Sequence, residues 1–307
     1  MSQIVVSGGT GFVGRALVSA LLARGDTVTV LTRNQSRVDQ LFGGKARSTH
    51  WDSGHGVVSS LGAMDVVIHL AGSQAVGVRW TREVKAEMVA SRVQKAERLV
   101  QAMKQAHRVP KVFICASGVG FYGAHPADVS LDERSPAGTD FLARLCVDWE
   151  NAAMDANKLG SRVVCARFGV VLGKNGGALK EMVKPFKFMM GGPIGDGTQI
   201  VSWVHLDDLI GMLFKAIDDA RISGPVNFTA PNPVSNSELM DQIGLQMKRK
   251  SRVSIPSGVL KWRFGEGADP LITGQRVLPK VMQQAGYQWK YPDITSALTQ
   301  ALSRSPT

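Results

Sequence analysis

The sequence predicts an α/β protein built on a doubly wound parallel sheet, and two patterns support this. Helical periodicity is clearest near residues 83–107, where Val89, Val93, Ala96, Val100 and Met103 recur at spacings of four and three. Short apolar runs alternate with such helices: QIVVS at 3–7, TVTVLT at 27–32, DVVIHLAG at 65–72, KVFICAS at 111–117 and RVVCARFG at 162–169, with a weaker STHW at 48–51. Continuously apolar strands separated by helices indicate a parallel sheet covered on both faces.

The first helix follows QIVVS and places Val13, Leu17 and Leu21 on one face. Gly25 is expected to end it, because glycine adopts the left-handed conformation of a helix C-cap. Pro110 closes the long helix near 83–107, and another helix is predicted at 140–158.

The second half is less regular and predicts a smaller C-terminal α/β lobe over the carboxyl ends of the strands, where open α/β sheets bind ligands. Residues 184–199 look like a Gly-rich basic loop, and 223–236 like a short strand between Pro-rich turns. Further helical signals lie near 207–219, 237–248, 275–285 and 293–302. We therefore expect a nucleotide-binding domain at 1–170, with parts of 200–230 returning to it, and a substrate lobe at 171–307.

Composition narrows the class of protein. The 307 residues contain 44% hydrophobic residues and no apolar run of the roughly 20 residues that a membrane helix needs. The start, MSQIVVSGGTG, does not resemble a signal peptide, so a soluble cytoplasmic protein is expected. Cys115, Cys146 and Cys165 lack metal-ligand spacing and are expected to be reduced and buried, and no metal site is predicted.

The net charge of +11 raises the possibility of nucleic-acid binding. Its basic residues are scattered, however, and the densest cluster, KRKSR at 248–252, lacks aromatic residues. No specific nucleic-acid partner is therefore expected, and a positive field also suits an anionic small molecule.

A glycine-rich turn, GGTGFVG at 8–14, lies between the first strand and the first helix. Gly8 permits a tight turn, Gly11 allows close approach of a diphosphate, and Gly14 allows the helix to pack on the strand. The helix N-terminus offers free N–H groups to phosphate. Strand, turn and helix together predict a Rossmann-type dinucleotide site that also includes Thr10.

The end of the second strand, VLTRN, selects the cofactor. An acidic residue there would bind the ribose of NAD, but Thr32 and Arg33 occupy this region instead. Arg33, with Ser36 and Arg37 nearby, can bind a 2′-phosphate. NADP(H) is therefore predicted over NAD(H), the alternative being that Arg33 is an ordinary surface arginine.

Several motifs now occur in one order: the glycine turn, HLAG at 69–72, ASGVGFYG at 116–123, RFGVVLG at 167–173 and WVHLDDL at 203–209. This order resembles the extended short-chain dehydrogenase/reductases, the superfamily of nucleotide-sugar epimerases and dehydratases. Three further segments are similar to its atypical NAD(P)-dependent epimerase branch, the YfcH-type proteins: 78–93, 191–197 and 271–289. The resemblance covers nearly the whole chain and implies a characteristic C-terminal domain.

The resemblance also implies cofactor contacts. Gly8, Gly11, Phe12 and Val13 would hold the diphosphate, and Asp52 would lie at the adenine. The remaining implied contacts are Leu70, Ala71 and Gly72 beneath the adenosine half, Ser91 in place of a common asparagine, and Arg167, Phe168 and Gly169 near the nicotinamide.

The superfamily uses a Ser or Thr, a Tyr and a Lys, the last two placed four residues apart on one helix face. Alignment on Trp149 and Glu150 puts Leu142 at the tyrosine position and Cys146 at the lysine position, so that pair is missing. Ser117 and Tyr122, in the loop after the fifth strand, are the candidate catalytic residues. The alternative is that Tyr122 packs against the next loop while Ser117 caps the turn.

Six residues could line a substrate pocket: Trp80, Arg92, Trp203, His205, Gln275 and Arg276. His205 could instead be a structural residue before the Asp-Asp turn. One hypothesis is an NADP(H)-dependent oxidoreductase or epimerase acting on a nucleotide sugar or a carbonyl compound. The second is a catalytically silent NADP(H) sensor that acts through a protein partner. Superfamily members are often homodimers, and nothing in this sequence decides that question.

Overall fold

The computed structural model describes residues 1–51, 54–61, 64–106, 109–174, 176–250 and 253–303, apart from the side chains of 54–56. Its strands are β1 Gln3–Ser7, β2 Thr27–Thr32, β3 Arg47–His50, β4 Val66–His69, β5 Val112–Gly118, β6 Ser130–Leu131, β7 Arg162–Phe168, β8 Val170–Leu172, β9 Ile200–Val201, β10 Trp203–His205, β11 Gly224–Phe228, β12 Val234–Ser235 and β13 Arg276–Val277. The predicted apolar runs therefore form strands, and the weak one at 48–51 lies one residue earlier.

The α-helices are α1 Phe12–Arg24, α2 Gln35–Phe42, α3 Gly54–Leu61, α4 Arg82–Val89, α5 Lys95–Gln105, α6 Phe141–Met154, α7 Gly177–Lys187, α8 Leu206–Asp218, α9 Asn236–Gln246, α10 Ser257–Phe264, α11 Asp269–Ile272, α12 Lys280–Gln284 and α13 Ile294–Leu302. Gly25 ends α1 in the left-handed conformation, with φ of 88°, as predicted. A π-helical segment, Ala90–Gln94, joins α4 to α5. A 3-10 turn, Val119–Tyr122, follows β5.

The main sheet is parallel, and within the described residues it has seven strands in the order β11-β7-β5-β4-β1-β2-β3. The chain runs outward from β1 to β3 on one side and from β4 to β11 on the other, so the direction of winding reverses between β1 and β4. A crevice forms at such a reversal, beyond the carboxyl ends of the strands. The predicted Rossmann-type doubly wound sheet is confirmed.

Each face of the sheet is covered by a separate buried cluster. Leu17 of α1 and Leu213 of α8 pack on one face, and Leu99 of α5 and Trp149 of α6 pack on the other. A third cluster, which includes Trp203, forms the core of the smaller C-terminal lobe. Both layers of helices are held by apolar burial, the dominant favourable contribution to folding.

Two expectations for the second half were wrong. Residues 184–187, predicted as part of a loop, continue α7, where Pro185 is tolerated and Phe186 is buried in the C-terminal lobe. The helix predicted at 275–285 is shorter, because Arg276–Val277 forms β13 and pairs in parallel with β6. Through this pairing, the segment that contains β13 lies beside the stretch of chain that follows β5.

The described residues include no helix long and apolar enough to cross a membrane. They also include no group of three or more His, Cys, Asp or Glu residues arranged for a metal ion. All three cysteines are buried and free, as predicted.

Candidate cofactor site and the adjoining buried network

The glycine turn between β1 and α1 has a backbone that side chains would disrupt. Gly8 adopts a φ of 77°, and a Cβ there would lie 2.7 Å from the backbone nitrogen of Ala71. A Cβ on Gly14 would lie 2.1 Å from the Gly8 carbonyl oxygen. The first helix therefore approaches the turn closely only because both positions are glycine.

The N-terminus of α1 begins at Gly11 without a side-chain cap and has no acidic residue in its first turn. Its first N–H groups have no acceptor within the helix, and the helix dipole adds partial positive charge. Phe12 does not close this end. Its ring packs away into the loop after β8, where a Cβ on Gly176 would lie 2.2 Å from it, while Val13 packs against the core.

A cavity of about 360 Å³ opens beside this turn, at the reversal between β1 and β4. Eight of the predicted cofactor-binding residues line it: Gly8, Thr10, Gly11, Arg33, Leu70, Ala71, Gly72 and Ser91. Asp52 lies outside the described residues. The predicted contacts with the turn, the end of β2 and the end of β4 thus converge on one site.

Thr32, noted above at the end of the second strand, also lines the cavity. Seven other lining residues were not predicted: Ser7, Leu31, Asn34, Trp51, Ser73, Glu87 and Lys95. Glu87, Ser91 and Lys95 are spaced by four, which places them on one helix face. This spacing is visible in the sequence, next to the apolar stripe of the same helix. It could have predicted that these three residues share a face that borders the site. The Lys95 ammonium lies 5.6 Å from the Trp51 ring centroid, so a cation–π contact forms one wall.

Arg33 is exposed at the opening beyond β2. In the described part of the chain, its side chain has no ion pair or hydrogen bond to another residue. The next residue, Asn34, caps α2 by accepting a hydrogen bond from the Arg37 N–H. The guanidinium therefore borders the cavity without a protein acceptor among the described residues.

Ser91 lies in the π-helical segment, and its hydroxyl oxygen accepts a hydrogen bond of 3.0 Å from the Ser73 N–H. Buried His69 supports this segment from β4, with Nε2 lying 3.4 Å from the Arg92 carbonyl and Nδ1 lying 2.6 Å from the Ser7 hydroxyl. Burial lowers the pKa of His69 to about 4. The ring is therefore neutral near pH 7, donating from Nε2 and accepting at Nδ1.

A fully hydrogen-bonded network lies at the carboxyl ends of β5 and β7. Arg167 forms a buried ion pair of 2.8 Å with Glu150, which also accepts a hydrogen bond from the Ser117 hydroxyl. Arg167 donates to the Tyr122 hydroxyl, and Tyr122 donates in turn to the Asn227 side-chain oxygen at 2.7 Å. These polar groups satisfy one another, as buried groups must.

None of Ser117, Tyr122 and Arg167 lines the 360 Å³ cavity. Tyr122 has no exposed surface, and burial raises the pKa of its hydroxyl to about 12, against the opposing influence of Arg167. Phe168 packs against the Phe228 ring, and a Cβ on Gly169 would lie 2.8 Å from the Ser202 carbonyl oxygen. The catalytic roles of Ser117 and Tyr122 stay predictions.

Leu142 and Cys146 occupy the helix face expected to carry the superfamily's tyrosine and lysine. The Leu142 side chain packs against the backbone of Gly120, where an added Cβ would lie 2.7 Å from Leu142 Cδ2. Burial, followed by the charge of Glu150, raises the pKa of the Cys146 thiol to about 11. Neither residue therefore supplies an acid–base group that titrates near neutral pH.

The six predicted substrate residues do not line this cavity. Trp80 donates to the Ala75 carbonyl and contacts the Phe141 ring edge, while Arg92 packs beside the cavity wall at Gly72. The other four come from the second half of the chain and are held by hydrogen bonds. Trp203 donates to the Asn232 carbonyl and His205 caps α8. Gln275 and Arg276 donate to carbonyls in the stretch that follows β5, those of Val119 and Ala127. Their roles toward substrate stay predictions.

Comparison with known proteins adds the family. The model described as "NAD dependent epimerase/dehydratase family" matches residues 4–228. The chain belongs to this family. A second model, described as "Domain of unknown function (DUF1731)", matches residues 255–301.

Relatives match the chain over nearly its whole length. An Arabidopsis thaliana protein, "Epimerase family protein SDR39U1 homolog, chloroplastic", is 38% identical over 97% of this chain and 86% of its own. The Homo sapiens "Epimerase family protein SDR39U1" is 35% identical over 98% of this chain and 100% of its own. The resemblance to an epimerase family with a characteristic C-terminal domain is thus confirmed.

Two solved structures resemble the fold closely. The crystal structure of human SDR39U1 (isoform2) with NADPH has a TM-score of 0.87 at 33% identity, covering 98% of this chain and 99% of that one. A nucleoside-diphosphate sugar epimerase from Corynebacterium glutamicum has a TM-score of 0.79 at 33% identity, covering 98% of this chain and 58% of that one. Several nucleotide-sugar epimerases below 25% identity share the fold alone.

Proposed function

We propose that this chain is an NADP(H)-dependent oxidoreductase of the epimerase/dehydratase family. The observation that carries the proposal is the uncapped N-terminus of α1, which opens with the Gly8–Gly11 turn onto a cavity at the reversal between β1 and β4. Phosphate oxygens would accept hydrogen bonds from these N–H groups, and no acidic side chain in the first turn repels them. The human relative solved with NADPH supports NADP(H) as the cofactor.

Arg33 is the residue proposed to select the phosphorylated cofactor. Its exposed guanidinium borders the cavity beyond β2 and has no carboxylate partner among the described residues. A guanidinium binds phosphate through paired hydrogen bonds, which makes it suited to the 2′-phosphate of NADP(H). The 360 Å³ cavity is within the usual size range of small-molecule sites.

When bound, the nicotinamide would donate or accept a hydride. The proton would come from this chain, and we propose Tyr122, oriented by Arg167, with Ser117 as a positioning residue. A pKa of about 12 keeps the Tyr122 hydroxyl protonated near neutral pH, so it suits proton donation to a reduced carbonyl better than proton removal. A carbonyl compound is therefore the favoured substrate, and the name of the Corynebacterium structure supports a nucleotide sugar as the other candidate.

Cofactor titrations test the selectivity. Wild type should bind NADPH more tightly than NADH, and Arg33→Asp should weaken NADPH binding by about 10- to 100-fold, as expected for loss of a charged hydrogen-bonding pair. Arg47→Asp makes the same charge change at the opposite end of β3 from the cavity and should leave the preference intact. A wild type that prefers NADH would refute this assignment.

A second function, an NADP(H) sensor without catalysis, is favoured by the apolar pair Leu142 and Cys146 at the expected acid–base positions. The deciding experiment incubates the protein with NADPH and a panel of aldehydes, ketones and nucleotide sugars. Nicotinamide absorbance is followed, and sugar products are analysed, because an epimerase shows no net change in absorbance. Turnover that falls in both Ser117→Ala and Tyr122→Phe supports the enzyme. Tight binding without turnover, together with a captured partner that differs between NADP⁺ and NADPH, supports the sensor.

A further inference from the structure

We propose that Arg92 binds the nicotinamide-side ribose of the cofactor, from a position on the side of α6 where Cys146 stands in place of the superfamily's lysine. The inference rests on the proposed function and names a residue that would hold the half of the dinucleotide distant from Arg33. It is carried by the position of the Arg92 guanidinium between the cavity wall and helix α6.

The Arg92 side chain contacts the cavity wall. The Arg92 guanidinium donates from Nη2 to the Ser73 carbonyl at 2.7 Å, and Ser73 lines the cavity. A Cβ on Gly72, which also lines the cavity, would lie 3.1 Å from the guanidinium carbon. The glycine therefore lets the charged group lie directly against the end of β4.

The same guanidinium also contacts α6. The guanidinium carbon lies 5.4 Å from the Trp149 ring centroid, a cation–π contact. Trp149 shares a helix face with Cys146, three residues earlier. Arg92 thus brings a positive group from the neighbouring helix to the face where the superfamily's lysine would stand.

The charge and hydrogen bonding of Arg92 leave it able to bind a ligand. Burial lowers the pKa of Arg92, and no carboxylate forms an ion pair with it in the described ranges. Its side-chain hydrogen bonds there use only Nη1 and Nη2, so the Nε–H donates to none of the described residues. A partly buried cation with a remaining donor gains from a ligand that presents oxygen atoms. Ribose hydroxyls meet that need.

The backbone around Arg92 holds the residue in place. It lies in the π-helical segment, and such irregular turns occur frequently at functional sites. Neutral His69 donates to the Arg92 carbonyl and contacts Ser7, the residue before the phosphate-binding turn. One side chain thus holds the turn and Arg92 in a fixed relation, which suits residues that bind two parts of one ligand.

The test compares two ligands on the same protein preparations. NADPH contains the nicotinamide-side ribose, and adenosine 2′,5′-bisphosphate lacks it. Arg92→Met should weaken NADPH binding by about 10- to 100-fold and leave the bisphosphate within about 2-fold of wild type. Arg92→Lys, which retains the charge, should recover part of the NADPH affinity. Arg33→Asp should weaken both ligands.

Arg79→Met is the matched control, because Arg79 also donates to a backbone carbonyl, that of Trp262, but does not contact the cavity wall. It should leave both affinities unchanged. If Arg92→Met binds NADPH as wild type does, or loses both ligands equally, the inference is overturned while the proposed function stands. If folded wild type binds neither ligand, the proposed function and this inference both fail.

Discussion

Two neighbouring regions of the sheet's carboxyl edge differ in how their polar groups are satisfied. Around β1 and β4, the α1 N-terminus has no cap, and Arg33 has no carboxylate partner among the described residues. Around β5 and β7, Ser117, Glu150 and Arg167 are hydrogen-bonded to one another. Unpaired donors are suited to an incoming ligand, whereas a satisfied buried network chiefly stabilises the fold. The first region has the features of a binding site, and the second has those of a core.

The largest expected loss of stability tests whether the network around β5 and β7 stabilises the fold. Glu150→Gln removes the negative partner of a buried arginine, so the free energy of unfolding should fall by about 3–5 kcal/mol. Urea denaturation measures this loss. The double variant Glu150→Leu, Arg167→Met removes both charges and should lose less than Glu150→Gln. Equal stability of wild type and Glu150→Gln would contradict the interpretation of this network.

A smaller loss of stability should appear as the pH falls, and it should come from His69 in the region around β1 and β4. Below pH 6.5, unfolded His69 takes up a proton, while folded His69 stays neutral until about pH 4 because it is buried. Stability therefore falls as the pH drops through this window. Between pH 7 and pH 5, His69 should contribute a loss of about 2 kcal/mol. The comparison is with His69→Gln, whose urea denaturation should lack this contribution, and identical pH profiles would show that His69 titrates normally.

The smallest expected loss of stability is that of Tyr122→Phe. This variant distinguishes a packing role of Tyr122 from a catalytic one. Tyr122→Phe deletes the hydroxyl between Arg167 and Asn227, which should cost about 1 kcal/mol of unfolding free energy. The affinity for NADPH should not change, because Tyr122 does not line the cavity. If Tyr122 donates the proton, turnover should also fall by about 100-fold or more. A stability loss with unchanged turnover would assign Tyr122 to the core alone.

The sequence predicted the binding region better than the network, and the reason is distance along the chain. The glycine turn, Arg33 and the end of β4 are local signals attached to strand ends, so topology alone brings them together. Tyr122 and Asn227, in contrast, are 105 residues apart, and no spacing rule pairs them. The helix α7 was missed for another reason, since Gly177 and Pro185 resemble loop residues until the burial of Phe186 is known.

The pairing of β13 with β6 has a consequence for synthesis of the chain. Asn227 donates to the Leu278 carbonyl, and Glu133 accepts from the backbone N–H groups of Asn227 and Val281. On the ribosome, the sheet strands emerge well before Leu278 and Val281 do. The Glu133 and Asn227 side chains of the nascent chain therefore stay hydrated until Leu278 and Val281 have emerged as well.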